Sequence, residues 1–293
     1  MEYVFVDKNV LRRFRSPRMR RMYFLLLILF TILAATVLAH LVLLALPLER
    51  NLLFSGFSNG EIFSSLNVLV IAVAAVTVLF VFFRLLKAKT EFALKILVTS
   101  FLLAGSLSIL LIGRLVSLML GSEFQFVFII FAAAAFAGMF CAYLNFIEVL
   151  SHKAKNRIFV ICSAALGTFL GVILPTIPVI VICAIWSVSD AILILSNTVQ
   201  EMFGVAKYEE LVMEVAFSTE EWGIGVGDLI CYSMIAANTS VYFGIIAGSA
   251  SLILILIGFF LTMKLAAKRM IVPGIPIAVG LGLLPLIVFL AFS

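Results

Sequence analysis

Charge is scarce in this chain. Asp, Glu, Lys and Arg make up 12% of its 293 residues while 65% are hydrophobic, against a charged share of about 25% in a soluble globular domain. That balance excludes a soluble fold and predicts a polytopic membrane protein. Histidine is nearly missing: His40 lies in an apolar stretch, His152 in a basic one, and no His-Glu-x-x-His metal motif is present. The four cysteines, Cys141, Cys162, Cys183 and Cys231, sit in apolar segments without the close spacing of a metal or redox site. They read as buried free thiols, not a disulfide framework. A Gly-x-Ser-x-Gly elbow, a dinucleotide fingerprint and a Walker loop are also lacking, so no metal or organic cofactor is implied.

The charge that is present is unevenly placed. Seven Lys and Arg between Lys8 and Arg21 stand against only Glu2 and Asp7, and they supply much of the net +5. A basic run before an apolar stretch is a juxtamembrane arm and not a nucleic-acid surface. The stretch 22–46 is too long for the core of a signal peptide and many more follow it, so it is expected to stay as a first helix.

A bilayer core about 30 Å thick takes roughly 20 apolar helical residues. Stopping at charge clusters and Pro/Gly punctuation gives nine spans, at 22–46, 63–83, 92–119, 124–147, 158–174, 177–198, 223–237, 240–264 and 271–291. Pro175 and Pro178 divide the fifth from the sixth. The seventh is diluted by Gly223, Gly225, Gly227 and Asp228 and limited by Asn238. The expected fold is therefore all-α, with a basic arm over 1–21, helices one to five over 22–174 and helices six to nine over 177–291. Asn238-Thr239-Ser240 fits the glycosylation pattern but sits too close to the membrane to be one.

Lys and Arg accumulate in cytoplasmic loops, which tests that count. With the N-terminus inside, inner loops carry Arg84, Lys87 and Lys89, then Lys153, Lys155 and Arg157, then Lys264, Lys268 and Arg269. Outer loops hold only Arg50, and the C-terminus falls outside. Lys95 and Arg114, near the ends of the third span, are expected to snorkel to the interfaces. One inner segment departs from the rule: residues 201–221 carry six glutamates against Lys207, a net of −5. Within it, Leu211–Phe217 either lies on the membrane surface as a helix, offers an extended edge to another chain, or is a solvated linker.

Of fifteen acidic residues only Asp190 and Asp228 fall well inside apolar segments. A carboxylate in hydrocarbon is costly, so an intramembrane acid points to function. Asp190 lies 12 residues beyond Pro178 and Asp228 lies 6 beyond Trp222, or about 18 Å from one face and about 9 Å from the other at the helical rise. The two therefore reach similar depth on antiparallel spans. Like charges a few ångströms apart cannot both ionise, so such a pair shares one proton and holds an acid and a base together. That suits peptide hydrolysis, one carboxylate activating water while its protonated partner polarises the scissile carbonyl. The glycines of Gly225-Val226-Gly227-Asp228 permit close backbone approach, and irregular backbone in a membrane belongs beside protein or a water-filled cavity.

These motifs resemble the intramembrane aspartyl proteases of the presenilin and signal peptide peptidase group. An aspartate late in the sixth span (Trp186-Ser187-Val188-Ser189-Asp190), Gly-x-Gly-Asp continuing as Leu229-Ile230-Cys231-Tyr232-Ser233, and Pro273-Gly274-Ile275-Pro276 in place of Pro-Ala-Leu-Pro carry the likeness. The resemblance implies that Asp190 and Asp228 are catalytic, that 177–291 is the catalytic half, and that Pro273, Gly274, Ile275 and Pro276 shape the substrate cleft. It also implies transmembrane peptide substrates reached through the lipid bilayer of the cell membrane, with 201–221 receiving them. Two departures stand out: Ser189 replaces the family's tyrosine, and Gly274-Ile275 replaces Ala-Leu. The chain lacks presenilin's long hydrophilic loop and is compact like archaeal relatives. Rival readings are a secondary transporter using both aspartates as proton or cation sites, a non-cleaving scaffold, and a prepilin-type peptidase, whose lysine two residues after the Asp is Ile230 here.

Overall fold

Away from water every peptide group must be satisfied internally, and a helix does this within one segment. The computed structural model is accordingly almost all helix. It describes residues 18–45, 91–120, 125–195, 216–218, 223–266 and 274–292. In chain order these are α1 (Arg18–Ala45), α2 (Glu91–Leu120), α3 (Gln125–Phe146), α4 (His152–Ile173), α5 (Thr176–Leu195), β1 (Ala216–Ser218), β2 (Gly223–Gly225), α6 (Val226–Ala266) and α7 (Ile275–Phe292). By length and composition, α2, α3, α4 and α6 can cross a membrane, and α1, α5 and α7 contain shorter apolar helices. The expected second span at 63–83, the arm up to residue 17, and all of 201–221 except 216–218 lie outside the described residues.

Local chemistry sets the breaks. At the start of α4, Ser151 is extended and its side chain accepts from the Ala154 amide at 3.4 Å, an N-cap. At its end Leu174 is extended, as the residue before a proline must be, and α5 begins directly after Pro175. The expected Pro175 break is therefore present. Lys95 forms an ion pair with Glu148 in the α3–α4 turn, and the Lys95 ammonium holds that carboxyl below the usual carboxylate range. Arg114 lies 5.8 Å from the Phe128 ring centroid, a cation–π contact.

Two expectations need correction. The division between the seventh and eighth spans is not at Asn238 but at Gly244, where φ is 87° and ψ 178° inside α6. Ser240 and Gly248 pack against each other across that point; on a continuous helix residues eight apart stand about 12 Å apart, so α6 folds back on itself. Asn238 is fully buried, and its amide donates to the carbonyls of Gly171 and Leu174, each at 2.9 Å. Its polarity serves the carbonyls left over at the end of α4, not a loop. The second correction is that the start of the expected seventh span is strand. β2 pairs antiparallel with β1, Ala216 opposite Gly225 and Ser218 opposite Gly223, so the all-helical expectation gains a short hairpin. Glycine is a poor helix former and isoleucine favours extended backbone, and Gly223-Ile224-Gly225 follows suit.

α6 is the hub of the packing, touching α7, α4, α1 and α5, while α3 leans chiefly on α2. Gly167 and Gly171 of α4, four residues apart, let that helix come so close to α6 that an added Cβ would stand 2.6 Å from the Ile230 carbonyl and 2.5 Å from that of Met234. This is small-residue packing of membrane helices. At the rim, Ile129 and Phe136 of α3 are 65% and 68% exposed, an apolar outer surface that suits lipid.

The dihedrals of Gly244 belong to a region that is essentially glycine-only, and an added side chain there meets no described atom. Gly244→Val therefore isolates backbone strain of about 1–3 kcal/mol. In detergent its thermal unfolding midpoint should fall by several degrees, while Gly280→Ala, which also meets nothing and lies inside α7 where alanine is favoured, should not lower it. A Gly244→Val midpoint equal to that of wild type would refute the turn.

Candidate active site

Asp190 lies in the last two turns of α5 and Asp228 in the first turn of α6, both half-buried. The two helices bring these acids to the beginning of α7. There the Ile275 amide donates to Asp190 Oδ2 at 3.2 Å. On the other side, a Cβ built on Gly274 would collide with Asp228 Oδ2. Asp228 also turns back over Gly225, where an added Cβ would stand 2.8 Å from Oδ1. Both carboxylates therefore lie against the Gly274–Ile275 peptide.

Tyr232 completes the arrangement. Its hydroxyl donates to the Gly274 carbonyl at 3.1 Å. The Gly274–Ile275 peptide is thus held at both ends, its oxygen by α6 and its N–H by α5. Sequence reasoning assigns Tyr232 no role. The signal that finds it is its spacing from Asp228, four residues or one helical turn, which places both on one face. Cys183 and Cys231 belong to one buried cluster between α5 and α6; both residues are fully buried, and all four cysteines are free.

The remaining predicted site residues divide. Val226 is buried at the head of α6, and Gly225 ends β2 opposite Ala216. Gly227 borders space in which an added Cβ meets no described atom. Ile275 is buried and Pro276 follows it in the first turn of α7, a position proline tolerates because the N–H it lacks has no partner there. Pro273 lies outside the described residues. One turn before Asp190, Trp186 packs among residues of α2, α4 and α6 with its indole N–H buried and unpartnered. Among the described residues no three His, Cys, Asp or Glu side chains gather as a metal would require. In the first span, His40 Nδ1 lies 2.8 Å from the Thr36 carbonyl, while its Nε2 is buried without a hydrogen-bond partner among the described residues.

The hairpin bears on the site through connectivity. β2 runs into α6 without a linker, so its extended backbone ends three residues before Asp228. Of the predicted edge 211–217, residues 216 and 217 are strand and 211–215 lie outside the described residues.

No family model matches the chain, and no curated protein matches it. Solved structures do. A presenilin family intramembrane aspartate protease in a C222 crystal superposes with a TM-score of 0.56 over 92% of this chain and 99% of its own, at 20% identity. A second such structure, from a P2 crystal, gives 0.54 over 91% and 97%, at 18% identity. The chain has that fold. It also supplies a physical setting for one sequence departure, because Gly274 stands where the Pro-Ala-Leu-Pro pattern has alanine and here Asp228 takes the space a methyl would fill.

The juxtaposition is directly measurable. With the four native cysteines replaced by alanine, Asp190→Cys and Asp228→Cys together should be joined by a short thiol-reactive linker of about 5 Å, a span comparable to Cα separations in disulfides. Linked peptides in a digest are the expected result. Only singly labelled peptides would show that the two positions do not face each other.

Proposed function

We propose that the protein is an intramembrane aspartyl endopeptidase that hydrolyses peptide bonds in transmembrane helices or signal-peptide remnants, with Asp190 and Asp228 as its catalytic dyad. The observation that carries this reading is the meeting of two acids from different helices on one peptide at the head of α7, in a fold shared with intramembrane aspartate proteases. In this reading the chain crosses the cell membrane nine times, N-terminus cytoplasmic and C-terminus outside, and 177–291 forms the catalytic half.

The chemistry follows from two carboxyl groups that hold one proton between them. The ionised carboxylate takes a proton from a water molecule as its oxygen attacks the scissile carbonyl carbon. The protonated partner donates to the carbonyl oxygen; the tetrahedral intermediate then breaks its C–N bond as the first carboxyl gives the water-derived proton to the leaving amine and the partner takes its own proton back from the hydroxyl that becomes the product carbonyl. Acid and base are properties of the pair, so neither role belongs to one aspartate. Gly227 borders room beside the dyad, and Gly274, Ile275 and Pro276 form a wall of the substrate cleft.

A helix protects its peptide bonds, so a substrate must unwind before it is cut. The hairpin supplies an extended edge to which an unwound segment adds as a further strand. Since β2 leads into the Asp228 turn, a strand added there delivers its backbone to the dyad.

Purified wild type should cut a transmembrane peptide in detergent with no ion gradient present, whereas Asp190→Ala and Asp228→Ala should each lower turnover by about 10³-fold or more. Turnover close to that of wild type in either variant would break the dyad, and a gradient-dependent flux without cleavage would favour a transporter. Deleting residues 211–217 from a chain that still folds should abolish cutting; unchanged turnover would remove the strand-addition step.

A further inference from the structure

The Gly274–Ile275 peptide touches both acids through different atoms, and what orients that peptide therefore orients the dyad. A peptide unit is planar, and in its trans form the C=O and N–H point in opposite directions; no described peptide bond is cis. Fixing the carbonyl of Gly274 on one side therefore aims the N–H of Ile275 at the other. The Tyr232 hydroxyl binds the carbonyl at 3.1 Å and Asp190 Oδ2 receives the N–H at 3.2 Å. We propose that Tyr232 is a positioning residue for the dyad: through the Gly274–Ile275 peptide it sets where Asp190 stands relative to Asp228. This rests on the protease reading above.

Three further observations support the assignment. Tyr232 is fully buried in the main hydrophobic cluster beside Val179, Cys183 and Ile275, so packing fixes the direction of its hydroxyl. It shares one face of α6 with Asp228, so a single rigid helix carries both one acid and the group that places the other acid's donor. α5 also touches α7 more than it touches α6, so the seat of Asp190 depends on how the head of α7 is held. Gly274 has a matching requirement. A side chain there would displace the Asp228 carboxylate, the free end of a side chain that can move without disturbing the fold.

Tyr232→Phe removes the hydroxyl and keeps the ring that packs. Misplacement of a reacting group by about 1 Å can lower a rate some 10²-fold, so kcat should fall about 10- to 100-fold with KM and the thermal midpoint nearly unchanged. The pH profile of kcat should also move. 4-Aminophenylalanine at position 232, which restores a donor, should recover most of the loss. A variant with wild-type kcat and pH profile, or one whose loss lies only in KM or in thermal stability, would overturn the proposal. Should Tyr232→Phe fail to fold, 4-fluorophenylalanine at position 232 decides: it keeps the ring and its polar tip but has no hydroxyl to donate, so kcat should fall at unchanged midpoint, and wild-type kcat would reject the arrangement. Asp190→Ala and Asp228→Ala in the same assay separate the two readings. If wild type does not cut, the protease reading fails; if it cuts and Tyr232→Phe behaves as wild type, only the positioning role fails.

Discussion

Two carboxyl groups inside an apolar helix bundle need polar partners, because burying them without hydrogen bonds carries a large desolvation penalty. Here one backbone peptide meets that need for Asp190 and leaves room for Asp228. The head of α7 offers an N–H to Asp190 and a side-chain-free Cα to Asp228. α5, α6 and α7 must converge at that place for both acids to be accommodated. A helix start is well suited to the task, since its first amides have no partner within the helix. The irregular backbone before Ile275 therefore acts as the polar floor of the site.

The rest of the architecture holds α6 where this convergence requires it. Its two arms reverse at Gly244 and pack through Ser240 and Gly248. Asn238 fastens the first arm to the end of α4, and Gly167 and Gly171 let the two helices approach until backbone meets backbone. Ser251 of the second arm donates to the Gly282 carbonyl at 2.7 Å, close to the kink-prone turn at Pro285 of α7. These ties join α6 to itself, to α4 and to α7. The free side of its N-terminus is left to the hairpin, whose extended strand joins the helix at the dyad. An extended strand and a seat for one of the acids are thus built from adjoining residues of one segment.

How much of this can be read in one dimension depends on how rare each signal is. Asp190 and Asp228 stand out because acids are nearly missing from the apolar segments, and Pro175 marks a break because proline constrains its predecessor whatever surrounds it. Gly244 gives no such signal. It is one small residue among several, and only its positive φ distinguishes it. Asn238 misleads for a related reason: in a linear reading polarity suggests a loop, whereas in the fold its amide answers carbonyls 64 and 67 residues earlier. Tyr232 is similarly silent, since its partner lies 42 residues away.

The sequence by itself determined the class of the protein and singled out the two acids within its apolar segments. Composition and helical rise are local properties, and they act on every residue regardless of its neighbours. Only the tertiary structure decided that both acids meet the same peptide, that a tyrosine holds that peptide from behind, and that the chain turns at Gly244 and not at Asn238. These depend on hydrogen bonds and close approaches between residues tens of positions apart, and helix packing alone determines which of them form.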